Sequence, residues 1–395
     1  MGVKTILFSI ILLHACTATF NENDGISFEQ TDELIAANKS STQRSAKRGP
    51  GKPRVFVPKP DENCTETTCV ISDDAVLFLK GPVVTSIMPL FCIIIILISL
   101  PLNTLALVTF TCRIREKKSG VIYMSHLACV DLLFTLLLPL KIHYQMNASD
   151  WVFGEATCRV LSATYYCYMY CSILLMMCMS VDRLLAVAFP VASLTWRTAR
   201  KARYVCVLVW LVALTGTVPL LLVKQTLNIK DVGFTCHDVL CHKQMYVYLF
   251  SILSCLYFFL PLVVILVSYS TIIYVLSVKS DHSSSSSLDG RRRAVPMAIA
   301  VLTEFVTCFA PTNGILLYHC VHLATGSQSG AENSYAAYLL AVCLGSSSVF
   351  LDPLLYYFGS SHYRKQLLSV IRYRKTKIAL KHSAKTLHVL ACFRK

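Results

Sequence analysis

Seven long apolar runs, near residues 83–112, 120–146, 158–188, 203–223, 243–276, 294–322 and 333–358, constrain this 395-residue chain more than any other feature. The hydrocarbon core of a bilayer is about 30 Å thick and is crossed by about 20 apolar residues of helix. Backbone polar groups in lipid must also find their partners within the segment, which a helix achieves alone. Seven such runs therefore predict an all-α membrane protein, a bundle of seven transmembrane helices over residues 83–358. Composition agrees: 55% of residues are hydrophobic and only 15% charged, too apolar for a soluble chain of this length. The net charge of +15 does not point to nucleic acid, because Lys and Arg gather in short stretches between the apolar runs. The 18 cysteines are scattered through those runs as small hydrophobes rather than as CxxC pairs, which argues against zinc or redox chemistry.

The N-terminal stretch to Ala18 carries an early Lys4, an apolar core from Ile6 to Leu13 and small residues beyond it. This predicts a cleaved signal peptide over 1–18, followed by an extracellular arm over 19–82. Asn38, Asn63 and Asn147 each begin a glycosylation sequon on the side this topology exposes. The arm holds Pro, Gly, Ser, Thr and charge without apolar periodicity, and is expected to be disordered. Arg113, Arg115, Lys117 and Lys118, then Arg197, Arg200, Lys201 and Arg203, then Arg291 to Arg293, fall on the opposite, cytoplasmic side with the tail 359–395. The serine run at 280–290 reads as a flexible loop. After the last span, Leu367, Leu368 and Ile371 recur at helical spacing among basic residues, a short amphipathic helix suited to the lipid of the inner leaflet.

Polar residues inside the spans are costly and therefore informative. Asp131, Ser172 and Asp352 lie within spans two, three and seven. Their carboxyls could be protonated or hydrogen-bonded between helices, or two carboxylates and a hydroxyl could hold a small hard cation. Glu304, in span six, has no account from sequence. The last span has no Lys for a retinal Schiff base, and internal repeats, HExxH and GxSxG are lacking, so a retinal protein, a transporter and a membrane hydrolase are disfavoured and no enzyme is expected. In the arm, "KPRVFVPKP" (52–60) offers Pro53-Arg54 to a trypsin-like serine protease, with apolar Val55 and Phe56 directly behind it.

Asn103, Asp131, Asp182-Arg183-Leu184, Trp210, Pro261, "CFAPTN" (308–313) and "DPLLY" (352–356) stand in order on their spans and together resemble the rhodopsin-like G-protein-coupled receptors. Leu184, Phe309 and Asp352 depart from the residues common in that family. "CHDVL" (236–240), "YMYCSILLM" (168–176), "SLTWRTARKA" (193–202) and "VPLLLVKQT" (218–226) narrow the resemblance to the protease-activated receptors, most of all their thrombin-receptor branch. It covers residues 83–373 and fades in the arm and the last residues.

That resemblance implies a plasma-membrane receptor whose arm is cut by an extracellular protease, thrombin above others, so that the new N-terminus folds back as a tethered agonist. Cutting between Arg54 and Val55 would expose Val55, Phe56, Val57, Pro58, Lys59 and Pro60; Arg44 and Arg48 would release "SAKRGP" and "GPGKPR", which have no aromatic anchor. A diffusible peptide ligand, with the arm a mere spacer, is the alternative. The resemblance further implies a disulfide between Cys158 and Cys236, and a ligand pocket at His237, Asp238, Val239, Leu240, Tyr335 and Tyr338. It implies a G-protein switch built on Asp182, Arg183, Phe309, Pro311, Pro353 and Tyr356, and an allosteric Na⁺ at Asp131, Ser172 and Asp352. Heterotrimeric G proteins are the implied partners, with arrestin admitted as another. Cys64 and Cys69 are close enough in sequence to close a small loop of their own.

Overall fold

The computed structural model describes residues 68–69, 73–115, 117–222, 224–229, 231–236, 252–280, 285–324 and 331–373. Among them, seven helices are long and apolar enough to cross a membrane: Val76–Arg113, Ser119–Met146, Gly154–Ala188, Ala199–Leu222, Ile252–Val278, Val295–Tyr318 and Ala336–Gly359, the first to seventh spans. Each coincides with one of the seven apolar runs; the predicted start of the fifth, at 243, lies outside the described residues. The spans turn a continuous apolar belt outward, including Leu97, Leu133, Leu211 and Val263. The third is the hub, packing against the second, fourth and fifth. Exposed leucines beside buried polar groups are what lipid as solvent permits.

Prolines shape the spans locally. A proline has no N–H, and its ring clashes with the carbonyl four residues before it. In three places the helix widens into a π-turn two residues before a proline: Val83–Ile87 ahead of Pro89, Cys255–Phe259 ahead of Pro261, and Phe305–Phe309 ahead of Pro311. The carbonyl each ring would strike, on Thr85, Tyr257 or Thr307, sits at the centre of its widened turn, so the turn absorbs the clash as an insertion rather than as a break.

At one end of the bundle lies a three-stranded sheet in the order β1 (Thr68–Cys69), β2 (Thr226–Ile229), β3 (Gly233–Cys236), with β1 parallel to β2 and β2 antiparallel to β3. The β2–β3 turn places Gly233 at φ 110°, and a Cβ there would meet Asp150 Oδ1 at 2.4 Å, so only glycine fits. That carboxylate accepts a hydrogen bond from Phe234 N at 3.0 Å, and Trp151 N donates to Phe234 O at 2.6 Å. Glu155, at the start of the third span, accepts from Gln225 N and Thr226 N at 2.9 and 3.0 Å. The hairpin is thus fastened from the loop after the second span and from the first turn of the third.

Two expectations need correction. A helix over Asp73–Lys80 leads into the first span, and β1 is a strand, so the arm expected to be disordered to residue 82 carries ordered residues before that boundary. The physical reason is burial: Leu79 packs fully buried against Ile229 and Val232. The serine run is likewise not all loop, because a helix occupies Ser285–Glu304, and serine is favoured where a helix begins. Asp182 forms an ion pair with Arg197. The amphipathic helix after the last span is present over 361–373. Its Tyr363 is fully buried against Phe110 and Tyr356, while Leu368, Ile371 and Tyr373 stay exposed.

Candidate functional site

The sheet end holds a cavity. The first, second, third and seventh spans, with Cys236 of β3 at its edge, surround about 750 Å³ of space including the mouth. Val84 and Met88 come from the first span, Phe134 and Leu138 from the second, Leu161 and Tyr165 from the third, and Tyr338, Leu339 and Val342 from the seventh. Four polar residues interrupt this apolar wall: Lys141, Gln145, Ser149 and Ser162. The wall is stiffened by rings: Phe134 stacks on Tyr168 at 4.3 Å, and the Tyr166 and Tyr338 hydroxyls are 3.0 Å apart.

Cys158 and Cys236 are joined as a disulfide with their Cα atoms 5.7 Å apart, tying β3 to the third span beside the cavity. Tyr144 and Trp151 pack around the bond, and the Tyr144 hydroxyl accepts from Cys236 N at 3.3 Å. Of the residues expected at the ligand, Tyr338 lines the cavity. His237, Asp238, Val239 and Leu240, and the Tyr335 side chain, lie outside the described residues, as do the cleavage segment 52–60, Asn38, Asn63 and Cys64. Asn147 is exposed at the end of the second span. Sequence reasoning missed Lys141, Gln145 and Ser162; the only signal was a cluster of polar residues closing the second apolar run.

Midway along the bundle, Asp131, Glu304 and Asp352 meet. Asp352 interacts electrostatically with both other carboxyls, and all three are essentially inaccessible to solvent. Tyr356 donates to Asp131 Oδ2 at 2.9 Å. Asp131 Oδ1, both oxygens of Glu304 and of Asp352, and Ser172 Oγ have no hydrogen-bond partner among the described residues. Ionised carboxylates are acceptors only, so contacts among three of them require a shared proton or a cation. Phe309, directly below Pro311, is fully buried and packs edge-on against Phe305. Pro353 frees the Val349 carbonyl from helical bonding, and Asn103 Nδ2 donates to that oxygen at 2.7 Å.

At the far end, Asp182 accepts from Arg197 through both oxygens, at 3.0 and 2.7 Å, and from Ser119 Oγ at 2.5 Å. One carboxylate so fastens the third span to the second and to the short helix Pro190–Trp196 that precedes Arg197. Arg183 turns away and donates to the Gly359 carbonyl, 2.9 Å distant, at the end of the seventh span.

Comparison with known proteins agrees with this arrangement. Residues 102–356 match the family described as 7 transmembrane receptor (rhodopsin family). The chain is 43% identical over 305 residues to proteinase-activated receptor 1 of Mus musculus, covering 76% of this chain and 70% of that one. It is 41% identical over 305 residues to proteinase-activated receptor 1 of Homo sapiens, with the same coverage. To proteinase-activated receptor 2 of Rattus norvegicus it is 37% identical over 307 residues, covering 76% and 75%. A seven-span bundle with a tied lid over an apolar cavity, matched at this level along most of its length, is a multi-pass membrane receptor and not an enzyme: the chain belongs to the proteinase-activated receptors of the rhodopsin family.

Proposed function

We propose that this receptor stands in the plasma membrane with its arm outside, and that a trypsin-like serine protease, thrombin by preference, hydrolyses the Arg54–Val55 bond to free a tethered agonist beginning VFVPKP. The observation that carries this reading is where the arm is rooted. Thr68 and Cys69 pair with Asn228 and Ile229 of β2, one hairpin away from Cys236 at the cavity edge. Thirteen residues precede that root from Val55 onward, and extended at about 3.3 Å each they span about 43 Å, ample for a return to the pocket. Tethering supplies an effective concentration on the order of millimolar, so a weak peptide saturates its site.

The agonist acts by preferring the open form of the bundle, shifting an existing equilibrium. The π-turn before Pro311 and the Asp352-Pro353 segment are where the spans can bend. Movement there disturbs the far end, where Arg183, Asp182 and their partners meet a heterotrimeric G protein and, after signalling, arrestin. The helix 361–373 lies against the inner leaflet, offering basic residues to anionic lipid. Among the described residues no group of three or more His, Cys, Asp or Glu side chains is arranged to hold a metal ion. A resting-state Na⁺ would instead rest on two carboxylates and a hydroxyl, Asp131, Asp352 and Ser172, with buried oxygens that lack a hydrogen-bond partner among the described residues.

The test is direct. Thrombin should trigger G-protein signalling in cells bearing the receptor, Arg54→Gln should abolish that response, and synthetic VFVPKP amide should activate both forms while its Phe→Ala version fails. Activity of SAKRGP with an inert VFVPKP would move the site to Arg44. A response to neither protease nor peptide would leave the diffusible-ligand reading in its place.

A further inference from the structure

Two polar groups face the cavity without a hydrogen-bond partner among the described residues. Gln145 and Ser162 are 3% and 2% exposed, both line it, and Gln145 Oε1 and Ser162 Oγ have no partner among the described residues. Burying such a group unpaired is costly, and a ligand of matching chemistry recovers that cost. Beside them stands Lys141, the one charged side chain among the described lining residues, its Nζ 5.8 Å from the centre of the Tyr165 ring. The cavity therefore offers an acceptor at Gln145, a cationic donor at Lys141 and otherwise apolar wall. A free ammonium is the wrong guest, because Lys141 repels it. A backbone amide is the right one, since it presents one N–H and one C=O beside an apolar side chain.

We infer that Gln145 and Lys141 read the backbone of the tethered agonist: Gln145 Oε1 accepts the Phe56 N–H and Lys141 Nζ donates to the Phe56 carbonyl. This inference rests on the proposed cleavage after Arg54. The Phe56 ring fills the cavity, and the new ammonium of Val55 stays at its mouth, away from Lys141. Within the arm segment that cleavage would expose, Phe56 is the only aromatic, and burying an aromatic ring is the largest apolar gain a peptide this short can make. Its position, twelve residues ahead of Thr68, leaves about 40 Å of slack tether. Lys141 and Gln145 lie four residues apart on the second span, so they present one face at helical spacing to a single peptide unit.

The experiment is a double-mutant cycle on agonist potency in signalling cells, with surface expression measured for each variant. VFVPKP amide is compared with the same peptide N-methylated at Phe56, on the wild-type receptor and on Gln145→Met, a near-isosteric change that removes the acceptor. Each single change is expected to lower potency about five- to tenfold, and the two together no further, because both delete one hydrogen bond. Lys141→Met should lower potency similarly and leave the Phe56 N-methyl effect intact. Losses that multiply in the Gln145 cycle, or N-methylation without effect on the wild type, overturn the inference. Should Gln145→Met fail to reach the surface, methylating Val57 instead of Phe56 decides on the wild type alone: a loss confined to Phe56 supports the assignment, and equal losses at both overturn it. A VFVPKP amide inert on the wild type removes the Arg54 reading and this inference together, whereas an active peptide indifferent to Gln145 removes this inference only.

Discussion

At the scale of single residues, Asn103 shows how a polar group buried in a span acts as a structural part. Pro353 cannot donate to the carbonyl four residues earlier, and Asn103 supplies the missing donor to Val349 O. The same Nδ2 donates to Ser99 Oγ at 3.0 Å, which lies 3.1 Å from Thr135 Oγ1, so one side chain links the first, second and seventh spans. Asn103→Leu should lower the stability of the detergent-solubilised receptor by about 1 kcal/mol, read as a fall in its thermal midpoint. Asn103→Asp, which keeps the shape but puts an acceptor against a carbonyl, should do no better. A midpoint unchanged in both variants would show the bond to be idle. Asn103 and Pro353 were each legible in the sequence as landmarks, but their connection was not. It joins residues 246 apart in the chain, and nothing local at either position reports the other.

Elements meet most tellingly at the inner end of the third span. Asp182 and Arg183 are adjacent in the chain, yet neighbours on a helix point in different directions. Asp182 turns toward Arg197 and Ser119, and Arg183 toward Gly359. Breaking a half-buried ion pair from either side strands the other charge. Asp182→Asn and Arg197→Leu should each cost about 1–3 kcal/mol of stability and raise signalling without agonist, and the double variant should be no worse than the more harmful single change. Arg183→Gln should add its effect independently of that pair, because its hydrogen bond runs to another span. Thermal midpoints and basal G-protein activation of the four receptors check both statements.

Across the whole molecule, the three buried carboxyls sit between the ligand cavity and the far end. The sixth and seventh spans that bear Glu304 and Asp352 also bear Pro311, behind its π-turn, and Pro353, so the proposed agonist effect would pass through this region. If Na⁺ balances the charge in the resting form, raising Na⁺ at constant ionic strength should shift agonist potency to higher concentration, and Asp131→Asn should remove that sensitivity. If potency ignores Na⁺ and follows pH, a shared proton is the balancing charge. Glu304→Leu separates the cases further: it should sharpen the Na⁺ response if the third carboxyl competes for protons, and leave it unchanged if Glu304 takes no part.

The number of spans, the basic connections and the tail helix were all determined by the sequence, because burial in lipid demands long uninterrupted apolar runs, and such runs are local and countable. The tertiary structure decided what local pattern cannot carry. Glu304 is an isolated oddity in the chain and becomes the third member of a carboxyl cluster only when the sixth span packs against the seventh. Lys141 and Gln145 read as the polar end of a run until four spans close around them. Leu79 belongs to an arm rich in charge until the hairpin covers it. In each case the free energy comes from groups distant in sequence brought within a few ångströms, where desolvation makes a hydrogen bond or a charge count for more than it does in water.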